Sequence, residues 1–325
     1  MRNVAIEYPE RGKMKFVDIG PPRDPKGSEI LIQTRLSGIT NGTERHALMA
    51  EHLWGQFPSR HGYQQVGTVE RVGPDAAGFA PGDWVFYGHY VGHAGWNIVD
   101  VGYRREQGEG AHLCIHLPEG LDRKECALMG VAGVSMHGVR RFGVKPADNV
   151  WVLGVGPIGQ FAAQGARALG ARVTVTDVND RRLEMAKELG AHRVLNANAQ
   201  STEKEIDDWA PYDFIIDCSG YPPLLMELFK KPHRLAVGGT VGLLAVRTET
   251  TFHWSLLHMR QASIEVSCHF DPDDLRVLLH FMQDRTIRME PTITHFVSID
   301  EAPKIYETMC DNPSELCGVV FDWSE

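Results

Sequence analysis

The sequence predicts an α/β protein built around a doubly wound parallel sheet. Three observations predict it. An apolar run, Val150–Leu153, reads as a strand buried on both faces, and it leads directly into Gly154-Val155-Gly156-Pro157-Ile158-Gly159. An Ala-rich helical stretch, Gln160–Leu169, follows and stops at Gly170. A second strand, Arg172–Thr176, then ends on Asp177, 18 residues after Gly159. Strand, glycine turn, helix, strand and terminal acid in this order form a dinucleotide-binding unit.

Each residue of that unit has a physical task. Gly154 permits the tight turn, Gly156 lets the backbone approach a pyrophosphate, and Gly159 lets helix and strand pack closely. With Pro157 and Ile158 they place the phosphates at a helix N-terminus, where free N–H groups and the helix dipole favour negative charge. The Asp177 carboxylate accepts from a ribose hydroxyl and repels a 2′-phosphate, which selects NAD over NADP. Val178 adjoins it, and Arg182, five residues beyond Asp177, covers the adenosine end.

The alternation continues downstream. Asp180–Leu189 reads as a helix, Val194–Leu195 as a strand, Glu203–Trp209 as a helix and Tyr212–Asp217 as a strand. Pro222–Lys231 follows as a helix, and Thr240–Val246 and Ser263–Phe270 as strands. That pattern is doubly wound, and the strand ends at Gly154, Cys218 and Leu244 are expected to face one crevice. The flanks differ. Val4–Tyr8, Lys13–Asp18 and Glu29–Leu36 are short strands between Pro- and Gly-rich turns, and residues 61–73 and 78–87 read as strand, turn, strand. Residues 121–148 carry a helix pattern and a tight entry to the central strand. The tail reads as helix Asp273–Arg285, strand Thr292–Phe296, helix Glu301–Cys310 and strand Cys317–Trp323. Residues 1–130 and 271–325 are therefore assigned to one β-rich domain, and 131–270 to the sheet domain.

Candidate chemistry in the β-rich part starts in Ser37–His46. A helix start at Thr43 puts Thr43 and His46 on one face, where a hydroxyl and an imidazole can pass a proton outward. A helix cap with a surface histidine explains the same residues and stays open. His89 and His93 have the i, i+4 spacing of helical metal ligands, but their glycine-rich surroundings oppose a helix and no third ligand is near. His112 and His116, in a strand-like segment, read as surface or interface histidines.

Bulk properties exclude several classes. A hydrophobic content of 43% with 23% charged residues is that of a globular protein. A net charge of −9 argues against nucleic acid and anionic membranes as partners. No apolar run of ~18 residues suggests a membrane span, and the N-terminus lacks the apolar core of a signal peptide. The six cysteines are scattered, without a C-x-x-C pair, which suits reduced thiols in a cytoplasmic protein.

SGITNGTE, HGYQQVGTVERVG, FAPGDWVF, VSMHGVRRFGVKPADNVWVLGVGPIGQ, VTDVNDRRLEMAKELGA and CGVVFDW together resemble the medium-chain dehydrogenase/reductase superfamily, of the zinc alcohol and polyol dehydrogenase type. SGITNGTE is similar to the bacteriochlorophyllide hydroxyethyl dehydrogenase branch, VSMHGVRR to the polyol branch. The resemblance implies a GroES-like β-rich catalytic domain, a Rossmann domain and a cleft between them. It also implies that Thr43 and His46 form a proton relay and that Ser135 lies beside the nicotinamide. Cys218, Ser219, Leu244 and Ala245 then flank the cofactor, and His89 stands at a pocket position. The zinc pattern is lost. Thr40 or Asn41 stands for the first zinc cysteine, Tyr63 for the zinc histidine, Gln64 for the adjoining glutamate, and Val131 or Gly130 for the last ligand. The structural zinc lobe is absent as well, so no metal is expected.

Without zinc, a hydrogen-bonding side chain has to replace it, and Thr43, His46, Tyr63 and His89 are the catalytic candidates. Asn41, Glu44 and Gln64 are assigned to substrate. The expected function is NAD-dependent interconversion of a polar secondary alcohol and its ketone. Reduction of quinones or activated double bonds, and transient use of bound NAD in elimination or epimerisation, remain open. The late strand Ser263–Phe270 is expected at a sheet edge and predicts a homo-oligomer, a dimer or tetramer.

Overall fold

The structure, a computed structural model, describes residues 2–51, 56–102 and 113–324. His112 lies outside the described residues. The chain forms two units, one of Met1–Gly130, Asp271–Val277 and Ile293–Glu325, the other of Val131–Phe270 and Leu278–Thr292.

The N-terminal part carries strands β1 (Val4–Glu10), β2 (Lys13–Asp18) and β3 (Glu29–Gly38), then helix α1 (Asn41–Leu48). Strands β4 (Gln65–Val72), β5 (Trp84–Tyr87), β6 (Trp96–Asp100) and β7 (Cys114–His116) and the short helix α2 (Arg123–Cys126) complete it. The second unit starts with α3 (Met129–Phe142) and continues β8 (Asn149–Leu153), α4 (Pro157–Ala168), β9 (Arg172–Asp177), α5 (Asp180–Glu188) and β10 (Arg193–Asn196). It goes on through α6 (Thr202–Trp209), β11 (Tyr212–Asp217), α7 (Leu224–Lys230), β12 (Leu235–Leu243), α8 (Trp254–Arg260) and β13 (Ser263–Val266). The tail adds α9 (Pro272–Gln283), β14 (Ile293–Ser298), α10 (Ala302–Asp311) and β15 (Gly318–Asp322).

In the second unit six strands lie in the order β10-β9-β8-β11-β12-β13, and every pairing is parallel. The chain winds outward from β8 in both directions, so the order reverses there. Parallel sheets need cover on both faces, and the central strands β8 and β9 are accordingly buried along nearly their whole length. Trp151, Tyr212, Ile215, Leu225, Leu228, Val241 and Leu256 form one core cluster. Cys218 N–H donates to Leu153 O and Leu244 N–H to Asp217 O, which sets the ends of β8, β11 and β12 side by side.

The other unit is mostly antiparallel. Its larger sheet runs β14-β15-β3-β4-β5-β7, with β6 also pairing with β3, while β1 and β2 form a separate hairpin. One core cluster joins Ile6, Tyr8, Leu48, Ile305, Tyr306, Phe321 and Trp323, so the C-terminal segment closes onto the N-terminal strands.

Three elements differ from expectation. Strand β12 starts at Leu235 and ends at Leu243, not Thr240–Val246. A register shift against β11 and Gly238 at φ +78° carry the strand through its two glycines. It stops because Leu244 and Ala245 N–H both turn to Asp217 O. Strand β13 covers Ser263–Val266, half the expected length, and His269 at φ +59° breaks the extended run before Pro272. Residues 278–292 go with the second unit rather than with the tail. Gln164 Nε2 donates to Arg288 O at 3.0 Å, and Arg288 N–H donates back to Gln164 Oε1 at 2.9 Å. Among the described residues no helix is long and apolar enough to cross a membrane.

Candidate active site

The glycine turn sits at the carboxyl end of β8 and opens α4. Gly154 has φ +79°, and a Cβ there would stand 2.8 Å from Ser219 Cα. At Gly159 a Cβ would lie 1.9 Å from Gly154 O, so only glycine allows this helix to pack on its strand. Gly156 is different. Its φ of −64° suits any residue, and a Cβ there meets only Arg182 Nη1 at 3.9 Å. Packing does not require that glycine, and the space at its Cβ position beside the N-terminus of α4 is open. Pro157 occupies the first helical position, where its missing N–H costs nothing. Gln160 Nε2 donates to Val155 O and Arg182 O, which ties the turn to α5. The second strand ends as expected: Asp177 is buried, with Oδ2 accepting from Val155 N–H at 2.7 Å and Oδ1 from Asn179 N–H at 2.9 Å. Val178, beside it, is 63% exposed and offers an apolar face. The turn, Asp177, Val178 and Arg182 therefore form a cradle that fits a dinucleotide.

Next to the cradle, buried Asp217 organises the turn after β11. Its Oδ1 accepts from Ser219 N–H (2.9 Å), Ser219 Oγ (2.6 Å) and Gly220 N–H (3.1 Å), and its Oδ2 pairs with Arg247. Burial, then the Asp217 charge, pushes the Cys218 thiol well up, so it stays protonated and is no nucleophile. Leu244 is buried against Gly138, and Ala245 is half-buried. Ser135 is fully buried in α3, and its hydroxyl is directed to Val131 O (3.1 Å) and Ile158 O (2.8 Å), which fastens α3 to the first turn of α4.

In the other unit, α1 carries Asn41, Thr43, Glu44 and His46. The helix begins at Asn41, two residues before the expected start, because Glu44 Oε1 reaches back to accept from Thr40 N–H at 2.7 Å. Asn41 Nδ2 donates to Leu316 O at 3.1 Å, and its Oδ1 is buried without a partner among the described residues. Half-buried His46 places Nδ1 2.7 Å from Glu51 Oε2, which Arg45 also contacts at 2.7 Å. Burial opposes the Glu51 charge, but the bonds to His46 and Arg45 outweigh it and hold the carboxyl below its ordinary range. A carboxylate orienting an imidazole three residues from Thr43 is a proton-handling arrangement. His89 is half-buried, and its Nε2 accepts from Leu113 N–H at 3.0 Å, so that nitrogen carries no proton.

The positions matching zinc ligands hold other chemistry. Gln64 is fully buried and Tyr63 is 3% exposed, its ring 5.0 Å from that of Tyr90. A Cβ at Gly130 would lie 2.7 Å from Gln64 Cβ and 3.0 Å from Tyr63 Cε2, and one at Gly38 would lie 3.1 Å from Gln64 Cδ. Gln64 Nε2 reaches Thr40 Oγ1 at 3.5 Å. Val131 is 1% exposed and apolar. Amides, a phenol and a hydroxyl packed this closely do not fit Zn²⁺, which takes thiolate, imidazole or carboxylate. A neutral amide also suits a buried place without a cation better than a carboxylate does.

The structure corrects Glu44. It was assigned to substrate, yet it is fully buried and its Oε2 accepts from Tyr306 OH (2.7 Å), Tyr8 OH (3.2 Å) and His93 Nε2 (3.1 Å). Sequence reasoning missed this cluster, and it missed the Asp217–Arg247 pair. The partners lie 49 and 262 residues from Glu44 and 30 from Asp217, and no local spacing signals them.

Comparisons with known proteins bear on both units. Residues 26–151 match the family model for the alcohol dehydrogenase GroES-like domain, and residues 157–284 that for zinc-binding dehydrogenase. L-threonine 3-dehydrogenase of Burkholderia mallei is 27% identical, covering 92% of both chains. The crystal structure of 2R,3R-butanediol dehydrogenase from Bacillus subtilis aligns at TM-score 0.84 with 16% identity over 99% of both chains. A short chain alcohol dehydrogenase from Escherichia coli, solved with NADH, aligns at TM-score 0.84 with 18% identity over 98% of this chain and 99% of its own.

Proposed function

The chain belongs to the medium-chain dehydrogenase/reductase superfamily, alcohol dehydrogenase type, and from this premise we propose that it is a zinc-independent, NAD(H)-dependent oxidoreductase interconverting a polar secondary alcohol and its ketone. An alcohol-type dehydrogenase using a nicotinamide cofactor is what the family provides. NAD preference, zinc independence and the substrate class are the finer reading. The observation that carries it is the cradle at Gly156, a glycine that packing leaves open, flanked by the carboxylate of Asp177. Both L-threonine and 2,3-butanediol, acted on by the relatives, are secondary alcohols.

A nicotinamide cofactor held here would supply the hydride chemistry between carbinol and ketone. The protein does the rest. The α4 N-terminus and the turn amides would hold the pyrophosphate, and Asp177 would hold the adenosine ribose. Thr43 takes the hydroxyl proton and passes it to His46, whose imidazolium Glu51 stabilises. Tyr63 and the unpartnered Oδ1 of Asn41 supply the polar contacts that orient the substrate oxygen and a neighbouring donor.

The test is NADH formation followed by absorbance over a panel of secondary alcohols that includes L-threonine and 2,3-butanediol, with and without chelator, and with zinc measured in the purified protein. The expected result is turnover of at least one alcohol, unaffected by chelator, and zinc well below stoichiometric. Stoichiometric zinc, or chelator-sensitive activity restored by zinc, would refute zinc independence. NADPH-dependent loss of quinones with no alcohol turnover would replace the reading altogether.

A further inference from the structure

We propose that Glu44 and His93 form a buried cross-link that positions the two segments carrying Thr43 and Tyr63. The link itself stands on geometry; its bearing on catalysis rests on the alcohol chemistry proposed above. Glu44 follows Thr43 in α1 and pins the first turn of that helix through Thr40 N–H. Its other oxygen meets His93 Nε2 at 3.1 Å. Nδ1 of the same ring lies 2.8 Å from Ser37 Oγ, at the end of β3, and Trp323 Nε1 donates to that oxygen at 2.9 Å. The face of the ring lies on Gly62. A Cβ there would stand 2.8 Å from His93 Cδ2 and 2.9 Å from Nε2, so glycine is required immediately before Tyr63. The backbone repeats the contact: Gly92 N–H donates to Gly62 O and His93 N–H to His61 O.

One imidazole thus joins α1, the end of β3, the C-terminal segment and the Gly62–Gln64 segment. Glu44, His93 and Ser37 are all fully buried. A second, long bond between the two segments runs from Gln64 Nε2 to Thr40 Oγ1, at 3.5 Å. A buried ion pair is a poor way to gain stability, because apolar residues of similar volume do as well or better. Its best-attested use is to impose register. Here the register is that of Thr43 against Tyr63.

The experiment is hydrogen exchange, read by mass spectrometry on the NAD-bound protein, for Glu44→Gln, His93→Ala and the double variant. Peptides spanning residues 38–49 and 59–66 report the link, and residues 149–177 serve as control. Each single variant should raise exchange about tenfold in both reporter peptides together, and the double variant should add nothing further. With any alcohol that turns over, kcat should fall about 10²-fold, the scale of an ångström misplacement, while KM for NAD stays unchanged. His93→Gln keeps a donor toward Glu44 and should restore part of the protection and of kcat; it also completes the cycle if His93→Ala does not fold. Exchange that rises in one segment alone, uniformly through the unit, or additively in the double variant would overturn the proposal. If no alcohol is turned over, the alcohol reading fails while exchange still decides the link.

Discussion

At the residue scale, each oxygen of Asp177 accepts one backbone N–H and leaves a second lone pair, which the proposed reading gives to a ribose hydroxyl. NAD⁺ should bind more tightly than NADP⁺ by calorimetry, and equal affinities would contradict that role. Glu44 and His61 predict how stability depends on pH. Burial works against the Glu44 charge, but His93, Thr40 N–H and Tyr306 outweigh it and lower its pKa. Its stabilisation is therefore full above the ordinary value of 4.5 and is lost as pH falls through the lower folded value. His61 has a lowered pKa, from burial and then the neighbouring His93, against the pull of Glu44. The folded state thus resists its protonation, and stability declines as pH falls from 6.5 through the folded value. Thermal midpoints from pH 7.5 to 5 should show this early decline, and His61→Gln should shrink it. His192, lowered in the same direction in the other unit, keeps it from vanishing. His93→Ala removes one of the donors to the buried Glu44 carboxylate and should cost about 1–3 kcal/mol, read by denaturant unfolding.

At the element scale, the glycine turn separates folding from binding. Gly159→Ala drives a Cβ into Gly154 O and should unsettle the second unit itself. Gly156→Ala meets open space, so the melting temperature should hold while NAD affinity falls at least tenfold. A Gly156→Ala protein that binds NAD normally would show that the pyrophosphate does not approach there. The turn was legible in the sequence because the residues that signal it, Asn149 to Arg182, lie within 34 positions. The exact extents of β12 and β13 were not, because a register shift against β11 and a left-handed His269 set them.

At the scale of the whole molecule, β13 ends the parallel sheet and leaves one edge without a partner strand among the described residues. Val266 on that strand is 60% exposed, and Trp254 and Met259 of α8 are 67% and 55% exposed. We expect two copies to pair these edges about a two-fold axis. Light scattering at micromolar concentration should report a dimer, and Val266→Lys should shift it toward monomer. A monomeric wild-type protein would remove this assembly. With only four residues in β13, the edge itself is short, and the exposed apolar side chains have to supply most of the contact.

The sequence by itself determined the α/β class, the parallel sheet of the second unit and the glycine turn at the end of β8. Apolar runs, glycines and a terminal acid state those constraints over short spans, and the alternation of strands and helices leaves few topologies. It also carried the expectation that Asn41, Tyr63 and Gln64 do not suit zinc, since donor chemistry belongs to the residue type. Only the tertiary structure decided which way the polar side chains face. Glu44 and Ser135 turn inward because Tyr8, Tyr306, His93 and the Ile158 carbonyl, brought from distant parts of the chain, satisfy them there. A buried polar group goes where its hydrogen bonds are, and those partners are assembled by the fold rather than by neighbours in the chain.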